Sequence, residues 1–185
     1  FLHDSTAIKS GADNLTTFAK QTLMQQLREL TRNPPENVSV GLRNDKLSEW
    51  DVTIMGPEGS MYEGGIFRAV LLFPADFPNK PPVMRFERPC PFHPNVYPDG
   101  TVCISILHPP GEDRFNEQES SAERWRPILG VDAIILSVIS MLTDTSVNLD
   151  SPANIDAARL YKNDPAAYKR EVKRSARLSA EASLG

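Results

Sequence analysis

Cysteine is scarce in this sequence, and its scarcity limits what kind of protein the chain can be. Only Cys90 and Cys103 occur among 185 residues, so the fold cannot rest on a disulfide framework. We expect a cytosolic protein in which both thiols stay reduced. We recognise no signal peptide or lipidation motif within these residues, and no apolar run approaches the ~20 residues of a membrane span. These absences predict a disulfide-free domain that does not insert into membranes.

An excess of positive charge is also lacking. The net charge is −4 and the isoelectric point is about 5.4, which argues against a nucleic-acid-binding protein. The charge is uneven, because residues 112–123 contain five carboxylates and one arginine, whereas basic residues outnumber acidic ones after Arg159. An acidic middle and a basic tail favour protein partners.

The hydrophobic pattern of the first half predicts one helix followed by a sheet. Leu23, Leu27 and Leu30 repeat at helical spacing after a threonine cap, and Pro34 ends that helix. Short alternating segments separated by turn residues then predict an antiparallel meander. The predicted strands are Val38–Leu42, Trp50–Met55, Ile66–Phe73 and Val83–Phe86.

The second half is predicted to be helical, which makes the fold class α+β. Apolar residues from Val131 to Leu142 repeat at the spacing of a buried helix face. Two further helices are predicted at Ala153–Tyr161 and Pro165–Ala180. We therefore expect a flexible N-terminal extension over residues 1–16 and one domain over residues 17–185. An acidic insertion occupies residues 108–121 of that domain.

Cys103 follows an Asp-Gly turn and is the main candidate for chemistry. A thiol is a good nucleophile and a good leaving group, so it can carry an acyl group, and the amide of Asn95 could stabilise an oxyanion. Three other interpretations stay open from the residues alone. Cys103 could be a small core residue, could pair with His93 or His108 in a hydrolase, or could join both histidines and Cys90 at a zinc ion.

Several segments together are similar to the ubiquitin-conjugating enzyme family. His93-Pro94-Asn95 is followed by Cys103 eight positions after the asparagine, as in the signature of that family. A proline-rich loop, a Trp-x-Pro element and two shorter motifs occur in the same register between about Phe18 and Ala180. These segments are Phe73–Pro82, Trp125–Pro127, Tyr62–Gly65 and Pro34–Asn37.

The resemblance implies a fold and a set of roles. It implies that Cys103 accepts ubiquitin from the activating enzyme as a thioester and passes it to lysine, without a cofactor or a metal. It implies that Asn95 stabilises the oxyanion or holds the loop that does so, that His93 is structural, and that Tyr97 packs near this loop. The expected fold is a helix, a four-stranded meander and C-terminal helices. An inactive ubiquitin-binding relative is the main alternative, and an intact Cys103 argues against it.

The chain departs from the family pattern near the active site. Many members carry an acidic residue before the proline that corresponds to Pro152, whereas this chain has Ser151 there, beside Asp150. The acidic insertion resembles a subgroup that includes enzymes of endoplasmic-reticulum-associated degradation and of cullin ligases. His108, at the start of the insertion, is expected to orient it or to contact the acceptor.

The resemblance also implies partners. Pro78, Lys80 and Pro127 correspond to ligase contacts, although Asn79 is polar where many members are apolar. Lys20 and Arg28 correspond to the site for the activating enzyme. We therefore expect ubiquitin, its activating enzyme and a RING-type ligase as partners of a monomer that builds degradative polyubiquitin chains. We expect it in the cytoplasm, with the nucleus and the cytosolic face of the endoplasmic reticulum as further sites reached through partners.

Overall fold

The computed structural model describes residues 13–111, 119–143 and 147–185. One helix comes first, four strands follow, and helices complete the chain, which confirms the predicted α+β class. The elements are α1 (Thr17–Arg32), β1 (Val38–Arg43), β2 (Lys46–Met55), β3 (Ile66–Leu72), β4 (Val83–Phe86), a 3₁₀ turn (Ser105–Leu107), α2 (Val131–Thr143), α3 (Ile155–Asn163) and α4 (Pro165–Leu184).

The four strands form one antiparallel sheet in the order β1-β2-β3-β4, as the meander predicts. Trp50, Val52 and Ile54 alternate with more exposed residues along β2, and all three are fully buried. β2 begins four residues earlier than predicted, at Lys46. The reason is a tight hairpin in which Asn44 and Asp45 adopt left-handed backbone angles, so that Lys46 already pairs with β1.

The helices cover the other side of the core. The buried face of α2 consists of the predicted apolar residues Val131, Ile134, Ile135, Val138 and Leu142. α3 begins two residues later than predicted, because Asn154 is its N-cap and accepts a hydrogen bond from the Ala157 N–H. Ala153 and Asn154 donate their N–H groups to the carbonyl of Pro94, which holds the segment just before the helix in place.

The residues just before α1 are attached to the sheet. The Asp13 carboxylate accepts hydrogen bonds from the Leu47 N–H, at 2.7 Å, and from the Ser48 hydroxyl. Thr16 is the N-cap of α1 and accepts from the Ala19 N–H at 3.1 Å. Residues 1–12 of the predicted N-terminal extension lie outside the described residues. Within the ranges described, no helix combines the length and apolarity that a membrane crossing requires.

Candidate active site around Cys103

Cys103 lies just after a tight turn that fixes its backbone. Gly100 has a φ of +97°, and a Cβ there would lie 1.9 Å from the carbonyl oxygen of Phe86, so only glycine fits. The Cys103 N–H donates to the carbonyl of Asn95 at 2.9 Å, and Val96 bridges Val102 beside it. Cys103 is partly exposed at a fixed position, so its thiol is open to a reactant from solvent.

His93 is buried and holds the loop that precedes Cys103. Its Nδ1 accepts the Asn95 N–H at 2.9 Å, so Nε2 carries the proton and donates to the Met141 carbonyl at 3.1 Å. Burial lowers the pKa of His93 to about 4, against a smaller opposing effect of the bond to Met141. A neutral ring with both nitrogens occupied cannot take a proton from a reactant.

The side-chain amide of Asn95 is also engaged in holding a loop. Its Nδ2 donates to the carbonyl of Asn148 at 3.0 Å, and the side chain is almost completely buried. Together with the two N–H bonds to the Pro94 carbonyl, at 2.8 and 3.0 Å, this contact fastens the segment before α3 to the loop before Cys103. The arrangement agrees best with loop support by Asn95.

Ser151, at the position where many members of the similar family carry an acidic residue, lies in an exposed segment. Ser151 and Asp150 both face solvent, and the Asp150 N–H donates to the side chain of Asn148 at 3.0 Å. This short turn is part of the segment that the Asn95 side chain fastens to the loop before Cys103. Tyr97 is 44% exposed on the turn leading to Cys103, and its backbone N–H donates to Thr101.

His108 contacts the thiol, which separates it from His93. Its Nε2 lies 3.6 Å from the Cys103 Sγ, and its Nδ1 lies 2.9 Å from both carboxylate oxygens of Glu119. The contact with Cys103 and the contact with Glu119 raise the pKa of His108 to about 9, against an opposing effect of burial. Of the two histidines proposed as partners of Cys103, the structure brings only His108 to the sulfur.

Glu119 and Arg124 close the base of the acidic insertion. The Glu119 side chain is only 5% exposed, and Arg124 forms an ion pair with it at 2.8 Å. Arg124 also donates to the Pro109 carbonyl, and the Trp125 N–H donates to the His108 carbonyl, both at 3.0 Å. The two ends of the insertion are therefore joined, although residues 112–118 lie outside the described ranges.

The predicted ligase-binding residues lie on two loops that pack together. The Trp125 indole donates to the Pro78 carbonyl at 2.7 Å, and its ring packs against Phe77. Asn79, Lys80 and Pro127 are exposed, whereas Pro78 is buried. Ile128, which sequence reasoning did not single out, is 86% exposed next to Pro127.

The predicted site for the activating enzyme lies on α1. Lys20 and Arg28 are exposed two turns apart, and the exposed Met24 lies midway between them. The three side chains form one stripe along the helix.

Sequence reasoning missed the pairing of His108 with Glu119 and of Glu119 with Arg124. The only signal was an acidic residue in an acidic segment, eleven positions from the histidine, and nothing in that spacing identifies a contact. Cys90 is half-buried, and its Sγ lies 3.9 Å from the Pro98 carbonyl. Within the part of the chain that the structure describes, no three His, Cys, Asp or Glu side chains are placed to hold a metal.

Known proteins are similar to this sequence over most of its length. Residues 22–176 match the family model described as ubiquitin-conjugating enzyme. The chain is 50% identical over 164 residues to ubiquitin-conjugating enzyme E2 15 of Schizosaccharomyces pombe, covering 88% of this chain and 96% of the relative. It is 47% identical over 160 residues to ubiquitin-conjugating enzyme E2 13 of Arabidopsis thaliana, covering 86% and 94%.

A human relative is equally similar. The chain is 50% identical over 147 residues to human ubiquitin-conjugating enzyme E2 G2, covering 79% of this chain and 87% of the relative. Similarity of this extent reaches both loops around Cys103, the sheet and the helices behind it. The chain belongs to the ubiquitin-conjugating enzyme family and is a ubiquitin transferase that works with ubiquitin, an activating enzyme and a ligase.

Proposed function

We propose that the chain carries ubiquitin as a thioester on Cys103 and transfers it to a lysine. The observation that supports this most is the position of the thiol. Cys103 is partly exposed, and its backbone is fixed by the bond to Asn95. Cys90 is also partly exposed, but its Sγ lies 3.9 Å from the Pro98 carbonyl and burial raises the pKa of its thiol.

The chemistry consists of two acyl transfers. In the first, the Cys103 thiol gives up its proton and its sulfur bonds to the carbonyl carbon of ubiquitin. The bond from that carbon to the cysteine sulfur of the activating enzyme breaks, and this leaving sulfur takes up the proton. In the second, a neutral lysine amine attacks the same carbon, and the Cys103 sulfur leaves as a thiolate. The amine then loses a proton to solvent. Each step exchanges one bond to the acyl carbon for another.

We propose that Asn95 acts in the second step by holding the segment before α3. Its contact with Asn148 keeps Asp150 and Ser151 beside the thioester loop, where an incoming lysine would arrive. Ser151 cannot act as a base at neutral pH, so positioning and partial desolvation of the amine replace the usual acid.

We propose residues 17–185 as the catalytic domain and a monomer as the working unit. Its ligase is of the RING type and binds the surface formed by Asn79, Lys80, Pro127 and Ile128, whose loops Pro78 and Trp125 hold together. The activating enzyme binds the stripe on α1. Polyubiquitin chains for proteasomal degradation are the product, made in the cytoplasm and, through partners, in the nucleus or at the endoplasmic reticulum.

The test is a charging reaction with activating enzyme, ATP and ubiquitin, followed by gels with and without reductant. Wild type is expected to give an adduct that reductant removes, and Cys103→Ser an adduct that resists it. Cys90→Ser is the matched control and should charge like wild type. Loss of charging in Cys90→Ser, with charging retained in Cys103→Ala, would refute the assignment.

A further inference from the structure

A chain of contacts leads from the Cys103 thiol into the closed base of the insertion. His108 faces the sulfur with Nε2 at 3.6 Å and faces Glu119 with Nδ1 at 2.9 Å. Glu119 is buried and has Arg124 on its other side at 2.8 Å. A carboxylate on one ring nitrogen and a sulfur on the other fix both the position and the orientation of the imidazole.

We propose that Glu119 is a positioning residue that keeps His108 protonated against Cys103, so that His108 stabilises the leaving thiolate and does not activate water. This proposal rests on the proposed thioester function. In this proposal, the base of the acidic insertion helps to determine whether lysine or water accepts the ubiquitin.

Burial of the glutamate strengthens its effect on the imidazole. The side chains of Glu119 and Arg124 are 5% and 9% exposed, so solvent screens their charges poorly. One carboxylate serves two cationic partners here, and Arg124 compensates the cost of burying it. Among the described residues, the ionisable groups that act on His108 are Cys103 and Glu119, and both favour the protonated ring.

A protonated imidazole assists the transfer in a defined way. When the lysine nitrogen bonds to the acyl carbon, the bond from that carbon to the Cys103 sulfur breaks. The sulfur leaves with the electron pair as a thiolate, and the Nε2–H of His108 is placed to donate a hydrogen bond to it. A charge-assisted hydrogen bond of this kind stabilises the charge where it develops. The ion pair that remains can accept the next ubiquitin.

The same protonation protects the thioester from water. Water needs a base to attack a thioester quickly, and a protonated ring has no lone pair on Nε2. Acylation of Cys103 removes the contact of its thiol with His108, so in the charged enzyme the contact with Glu119 keeps the proton on the ring. Without the carboxylate, His108 would become neutral with Nε2 facing the thioester, as in a thiol hydrolase.

The first test separates transfer from hydrolysis in the charged enzyme. At a pH just above the ordinary histidine pKa of 6.5, Glu119→Gln should lower the rate of discharge to free lysine roughly tenfold and raise thioester hydrolysis several-fold. His108→Asn should lower transfer without raising hydrolysis. Glu123→Gln changes an exposed carboxylate of the same segment and is the matched control. Equal transfer-to-hydrolysis ratios in wild type and Glu119→Gln would overturn the proposal.

The second test needs no ubiquitin, so it stands apart from the proposed function. Titration of the His108 ring by NMR should give a midpoint near 9 in the uncharged wild type and a clearly lower one in Glu119→Gln. Alkylation of Cys103 by iodoacetamide at neutral pH, in a Cys90→Ser background, should slow several-fold in His108→Asn. If the variants keep wild-type circular dichroism but show an unchanged His108 midpoint and an unchanged rate of Cys103 alkylation, the proposed effects of Glu119 on His108 and of His108 on Cys103 are refuted. Failure of wild type to charge, with both results as expected, would refute only the proposed function.

Discussion

The two histidines near Cys103 have opposite environments, and the comparison explains their different roles. His93 is buried with both nitrogens on the protein backbone, and its pKa is lowered to about 4. His108 is partly exposed between a thiol and a carboxylate, and its pKa is raised to about 9. Burial without a charge partner disfavours the imidazolium ion, whereas an anionic partner favours it. One ring therefore supports the loop, and the other is available for chemistry.

The largest effect is expected at Asn95, on the His93 side of the site. Asn95→Ala removes the bond to Asn148 and frees the segment before α3. Charging should remain near normal, while discharge to free lysine should fall by about 10²-fold, which is the cost that misplacement of a positioning segment can have. Single-turnover discharge after quenching the charging reaction measures this. Equal losses in both steps, together with a lower melting temperature, would make Asn95 a purely structural residue.

The second largest effect is a loss of folding stability at low pH, which is caused by His93. The unfolded chain takes up the proton near pH 6.5 and the folded chain only near pH 4, so stability falls as pH is lowered through this window. The expected loss is roughly 3 kcal/mol in the free energy of unfolding. Urea unfolding at several pH values measures it. His93→Gln should show a weaker dependence in this window, and an unchanged slope would contradict the account.

The contribution of His108 to folding stability should be lost as pH rises, whereas that of His93 is lost as pH falls. Its folded-state pKa is raised, so its contribution to stability is fully present below pH 6.5 and is lost as pH rises through about 9. Glu119→Gln should flatten this alkaline decline, whereas Glu123→Gln should not. Urea unfolding across the same range is the measurement. An alkaline decline of equal size in all three proteins would show that the carboxylate does not hold the proton.

The smallest effect is expected from the rest of the acidic insertion. Glu112, Asp113 and Glu117 lie outside the described residues, and their charge would draw a cationic lysine towards the thioester while disfavouring its neutral form. Changing all three to glutamine, with Glu119 retained, should slow polyubiquitin chain formation a few-fold and leave charging intact. High salt should reproduce part of the loss in wild type. Unchanged chain rate and linkage would make these charges a tolerated surface feature.

The sequence predicted the elements because each follows from a local pattern. Alternation in β2 and the helical spacing in α2 identified the buried faces correctly, and β4 has the predicted bounds. The start of β2 and both ends of α3 were predicted wrongly by a few residues. They depend on a left-handed hairpin at Asn44 and Asp45 and on the distant carbonyl of Pro94, which no local pattern reveals.

The site could be predicted only in part for the same reason. Cys103 and the loop before it carry a recognisable motif, so their proximity was expected. The contacts of Asn95 with Asn148 and of His108 with Glu119 join residues 53 and 11 positions apart. Such contacts depend on how the chain folds back, and in an acidic segment every carboxylate is an equal candidate for the histidine.

Peptide mapping of the adduct is the decisive test of Cys103 as the residue that accepts ubiquitin. Cys103→Ser protein is charged with activating enzyme, ATP and ubiquitin, and the stable ester is digested and sequenced by mass spectrometry. The C-terminal residues of ubiquitin should be found attached at position 103, and Cys103→Ala should give no adduct. Attachment at Cys90 or at a lysine in place of position 103 would contradict this assignment.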